Sequence, residues 1–132
     1  MTMRTTAGPD GAVDRESPVP VLLQVYARER ELYVEVLRLS REQTAMIRRG
    51  ESLAAVRRVL TAKRDRLDEV ARLERLLAAP RRSWQERRRQ GGLPATADLQ
   101  RLLQELGGLI EEILQVEAEN DRLFLELARG AA

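Results

Sequence analysis

Along most of this chain apolar residues return alternately every three and every four positions, the spacing of one face of an α-helix. Over residues 21–49 the seam reads Leu22, Val25, Glu29, Leu32, Val36, Leu39, Gln43, Met46. Tyr26, Tyr33, Leu37 and Ile47 widen that seam into a stripe. Pro20 fits the first turn, where its missing N–H costs nothing. Gly50 stands where a left-handed cap would end the helix, and Ser52 where a side chain would cap the next one. A second helix is expected over 53–78, with Leu53, Val56, Leu60, Lys63, Leu67, Val70, Leu73 and Leu77 as its stripe and Pro80 as its stop. The turn around Gly50 is short, so the two helices should fold back as an antiparallel hairpin.

A third helix is expected over 99–128, capped by Thr96 or Asp98, after a break at Gly91, Gly92 and Pro94. It carries two adjacent seams. One is Leu99, Leu103, Leu106, Ile110, Ile113, Glu117, Asn120, Phe124, Leu127; the other is Leu102, Leu106, Leu109, Ile113, Val116, Asn120, Leu123, Leu127. That stripe is wider than one coiled-coil contact needs, so the helix can pack into the hairpin or offer one seam to something else. No segment alternates with period two. The expected fold class is therefore all-α: an antiparallel hairpin of two long helices plus a third long C-terminal helix, a coiled-coil-like bundle. Residues 1–18 have no period and read as a disordered tail ahead of a single helical domain over 19–132.

Composition agrees with long solvated helices. Charged residues make up 33% of the chain and aromatics only 3%, so Leu, Val, Ile and Ala must build the core. The net charge of +2 gives no broad claim on nucleic acid or anionic lipid. The apolar runs are too short to span a membrane, and residues 1–17 lack an apolar leader core, so a cytoplasmic protein is expected. Without Cys or His there is no thiol or imidazole nucleophile pair and no ordinary zinc site. Neither an enzyme nor a cofactor is expected.

Three local features invite a function. Arg81, Arg82, Arg87, Arg88 and Arg89 surround the only tryptophan, Trp84; this connector could contact nucleic acid, or Trp84 could cover the end of the bundle. Gly107 and Gly108 lie inside the third helix, as a hinge or as a site of close backbone packing. Glu117 and Asn120 interrupt an apolar seam. They could set register, line a groove that stays wet until a partner arrives, or sit at a frayed margin.

Beyond these features the chain resembles the FlgN-type flagellar export chaperones. Tyr33, Val36, Leu37 and Leu39 are similar to the family's opening helix, and the run Ile47-Arg48-Arg49-Gly50-Glu51 to its helix end and turn. Leu60, Lys63, Leu67, Val70, Leu73 and Glu74 resemble its second helix. Ile113 to Leu123, with Glu117, Glu119 and Asn120, resembles its closing segment. The resemblance implies a cytosolic chaperone without ATPase activity. Such a protein binds C-terminal helical segments of hook–filament junction proteins and hands them to an export gate component. The surplus stripe of the third helix then becomes the expected client-binding surface: Ile110, Ile113, Leu114, Glu117, Asn120, Leu123, Phe124 and Leu127. A coiled-coil scaffold, including a homodimer, and a nucleic-acid binder using 81–89 are the alternatives.

Overall fold

The computed structural model describes residues 17–91 and 97–131. Three helices account for nearly all of them: α1 (Val19–Arg48), α2 (Leu53–Arg89) and α3 (Ala97–Ala131). No strand occurs among the described residues. Of the tail expected over residues 1–18, positions 1–16 fall outside the described residues, as do Gly92, Pro94 and Thr96 of the expected break and cap, while Asp98 lies inside α3 and does not cap it.

The first turn follows the sequence reading. Gly50 has φ of 72°, its N–H donates to the Ile47 carbonyl at 3.0 Å, and the Glu51 N–H donates to the Met46 carbonyl at 3.0 Å. Those two bonds satisfy carbonyls that the end of α1 would otherwise leave open. Two residues later the Ser52 hydroxyl accepts from the Ala55 N–H at 3.2 Å and caps α2.

Pairings along the helices give their directions. Arg28 meets Glu69, Glu35 meets Arg66 and Gln43 meets Lys63, so α2 runs antiparallel to α1. Arg30 meets Glu105, Arg41 meets Glu112 and Arg48 meets Glu119, so α3 runs parallel to α1. α1 is the middle helix and packs against both others, whereas the backbones of α2 and α3 stay apart.

Two expectations need correction. Pro80 does not stop α2, which continues to Arg89. A proline inside a helix removes one hydrogen bond and crowds the preceding turn, at a cost of about 3 kcal/mol. Continuing the helix offsets that cost by bringing Leu77, Arg81 and Trp84 onto one face. Leu77 is wholly buried, Trp84 is partly buried against the core centre that Leu77 shares with residues of α1 and α3, and the Arg81 Nε donates to the Tyr26 hydroxyl at 3.1 Å. The second correction concerns the α2 stripe. Val56, Val59, Lys63, Val70 and Leu77 are its buried residues, while Leu53, Leu60 and Leu67 are exposed. The backbone of α2 lies close to α1 alone, so only a narrow strip of it is covered, and the flank of its apolar stripe stays open.

The core has two centres. Leu22, Tyr26, Leu77, Leu99, Leu102 and Leu106 form one at the start of α1. Leu39, Met46, Ile47, Val56 and Val59 form the other near the turn, with Leu123 and Phe124 packed against it.

Candidate functional site

Between the two core centres each helix contributes polar groups where its seam calls for apolar ones. From α3, the Asn120 amide donates to the Ser40 carbonyl at 3.1 Å and accepts from the Thr44 hydroxyl. The Ser40 hydroxyl donates to Glu117. From α2, the Lys63 ammonium donates to Gln43 at 2.7 Å and also binds Glu117. Ser40, Gln43, Lys63 and Asn120 are all buried. This layer ties α1, α2 and α3 together at one level, and only one sliding position of the helices satisfies it. Buried polar groups left unpaired are costly, so the layer fixes register. Glu117 and Asn120 therefore do not sit at a frayed margin.

Beside this layer a groove of about 430 Å³ opens between α2 and α3. Tyr33 and Val36 of α1 form its floor, Lys63 and Leu67 one wall, and Ile110, Ile113, Leu114 and Glu117 the other. The Lys63–Glu117 ion pair crosses it from wall to wall. The lining is otherwise apolar, and Leu114 is 63% exposed. A second groove, near the turn, is lined by Ile47, Arg48, Leu123, Glu126, Leu127 and Gly130.

The eight residues expected to bind a client are thus divided. Ile110, Ile113, Leu114 and Glu117 share the first groove; Leu123 and Leu127 line the second. Asn120 is buried in the polar layer, and Phe124 is half-buried against the core centre near the turn. Tyr33, Val36, Lys63 and Leu67 complete the first groove without being assigned to it by the sequence reading, although every one of them lies on a helical stripe.

A second polar cluster lies on the other side of Tyr33. Glu29 is 2% exposed, and one of its carboxylate oxygens has no hydrogen-bond partner among the described residues. Burial, then a hydrogen bond with Glu74 and the charge of Glu74, push its carboxyl up to about 8, against the pull of Arg81. Glu74 shifts the opposite way: its hydrogen bond with Glu29, and next Arg81 at 3.1 Å, hold it below its ordinary range despite burial. Burial and the charge of Glu74 thus favour the neutral form of Glu29, while Glu74 is held toward its charged form. Burial, Glu29 and Glu74 together raise Tyr33.

The glycine pair in α3 lies within unbroken helix, and a Cβ added at either position meets nothing within 4 Å. Close packing does not account for them. Changing Gly107 and Gly108 to alanine together is expected to stabilise the protein by about 2 kcal/mol, since each glycine costs about 1 kcal/mol in a helix interior. Thermal melts check this; an unchanged or lowered melting temperature would contradict it. A loss of partner affinity in the same variant would be the mark of a hinge.

The arginines of the last turns of α2 are largely engaged. Arg81 binds Glu74 and Tyr26, Arg89 binds Glu86, and Arg88 stacks 4.8 Å over the Trp84 ring. Trp84 is partly buried against the end of the bundle, its indole N–H is buried, and Arg88 lies over its ring. Among the described residues no acidic cluster is placed to hold a metal ion, and no helix is long and apolar enough to cross a membrane. No family model, curated protein or solved structure matches this chain.

Proposed function

We propose that this protein is an export chaperone of the FlgN type. In this reading it receives an amphipathic C-terminal helix of a hook–filament junction protein in the cytoplasm and passes it to the export gate. The observation that carries the reading is the apolar groove floored by α1 and walled by α2 and α3, with exposed Leu67, Ile110 and Leu114 along its rims. A helix is about 10 Å across with its side chains and lays its apolar face into such a trough. The driving force is burial of apolar area, on the order of 25 cal/mol per Å² before the costs of association. Binding is the whole of the activity, and the chain needs no cofactor for it. Asn120 and Phe124 serve indirectly, by holding α3 at the distance that keeps the groove open.

Titration calorimetry with a peptide from the C-terminal helix of a hook–filament junction protein of the same organism tests this reading. Leu114→Asp is expected to weaken binding about tenfold or more, with little change in melting temperature because the side chain is largely exposed. Full affinity in that variant would move the site out of the groove. No binding by the unaltered chain would overturn the chaperone reading.

A further inference from the structure

α2 carries a second apolar row that the bundle leaves open. Leu53, Leu60 and Leu67 are spaced seven apart, share one face and are exposed, and Leu67 already stands in the groove wall. Outside this row runs a line of arginines. Arg57, Arg64, Arg75 and Arg82 are spaced seven, eleven and seven apart. At about 100° per residue that spacing brings them within roughly 20° of one another. Arg64 falls one turn after Leu60 and one turn before Leu67, on the side away from Val56, Lys63 and Val70, which α1 covers. All four arginines are exposed, and none has a hydrogen bond or ion pair with another described residue.

The opposite wall is different. α3 holds three basic and eight acidic residues, α2 twelve basic and five acidic. The acids of α3 are largely engaged: Glu105, Glu112 and Glu119 pair with Arg30, Arg41 and Arg48 of α1, and Glu117 with Lys63. On the α2 side the groove wall at Leu67 is thus flanked by exposed leucines and, outside them, by arginines that no ion pair among the described residues engages, with Asp68 and Glu86 as the acids one turn from Arg64 and Arg82.

We propose that the occupant of this groove is an amphipathic helix with acidic residues along the edge that faces α2. Its carboxylates meet Arg57, Arg64, Arg75 and Arg82 while its apolar stripe covers Leu53, Leu60, Leu67, Ile110 and Leu114. This rests on the chaperone reading and adds the chemistry of the client helix and its rotation in the groove. The apolar rows supply affinity. The arginine row selects, because a helix with a basic edge would meet like charge along its whole length. Guanidinium suits this role because it is weakly hydrated and binds carboxylate in a two-pronged manner. From Arg57 to Arg82 the row spans about 37 Å at 1.5 Å per residue, the length of a helix of about seven turns.

Two labelled peptides of about four heptads test this. They share one leucine stripe; one carries glutamate and the other lysine along a single edge. Fluorescence anisotropy with the full chain at about 50 mM salt should show the glutamate peptide binding about tenfold tighter or better, with the preference shrinking as salt rises. The Arg57→Glu, Arg64→Glu double variant, checked for unchanged helicity, should reverse the order. Equal affinities that ignore the reversal would overturn the charge assignment and leave the groove reading standing. Failure of both peptides, together with full client affinity in Leu114→Asp, would overturn the groove itself. Light scattering covers a second copy as occupant: a dimer that the double variant dissociates would overturn the proposal in favour of self-association. Tighter binding to phosphatidylglycerol vesicles than to the glutamate peptide, lost in the same variant, would overturn it in favour of a membrane surface.

Discussion

At about pH 8.5 the Glu29→Gln protein is expected to melt well above the unaltered one, and the difference should nearly vanish at about pH 5. The folded protein holds Glu29 protonated up to about 8, whereas an unfolded chain releases that proton near the ordinary value of 4.5. The folded state thus binds more protons across this interval. Stability is full below the unfolded value and is lost as pH rises through the folded one, with a slope of at most about 1.4 kcal/mol per pH unit. Glutamine keeps the neutral shape and the hydrogen bond to Glu74 but has no proton to lose. Glu74, whose carboxyl is lowered, contributes in the opposite sense and only toward acid pH, so the two effects separate along the pH axis. Thermal melts from pH 5 to 9 provide the measurement. Equal stability of the unaltered protein at both ends would show that Glu29 is not held neutral by its burial.

Lys63→Ala should cost about 3 kcal/mol in urea unfolding, the low end for breaking a buried ion pair by removing one partner. Lys63 is 8% exposed and leaves behind Gln43, itself buried, and Glu117. The Glu117 side chain is 31% exposed and can turn partly to water, which keeps the cost from climbing further. Lys63→Met combined with Glu117→Gln should recover most of the loss, because the methionine fills the volume and the glutamine retains a partner in Ser40. A loss under about 1 kcal/mol for Lys63→Ala would mean that the polar layer does not hold the helices in register.

The sequence carried much of this architecture because its signals were local. Three-four spacing gave three helices, Gly50 and Ser52 marked the turn, and their chemistry is what the turn uses. Pro80 misled because its cost is local while its compensation is not: the packing of Leu77 and Trp84 against α1 and α3 is tertiary. The polar layer left a clear trace, since Gln43, Lys63, Glu117 and Asn120 each interrupt an apolar seam. Their convergence on one level depends on how the helices slide past each other, which periodicity does not encode. The groove was half legible. A surplus stripe on α3 foretold an open apolar surface, but its walls on α1 and α2 depended on α1 taking the middle place. Glu29 stood in its seam as a visible exception, and only its nearness to Glu74 across the hairpin gives it a titration out of the ordinary.

The middle position of α1 has a consequence for how this gene can drift. Twelve of the 30 residues of α1 are buried, against five of the 37 of α2, because α1 alone is covered from two sides. In a library of random single replacements, loss of soluble protein should concentrate in Val19–Arg48, and most positions of α2 should accept nearly anything short of glycine or proline. A diverging lineage could therefore rewrite the outward chemistry of α2, and with it the choice of partner, while α1 stayed almost unchanged.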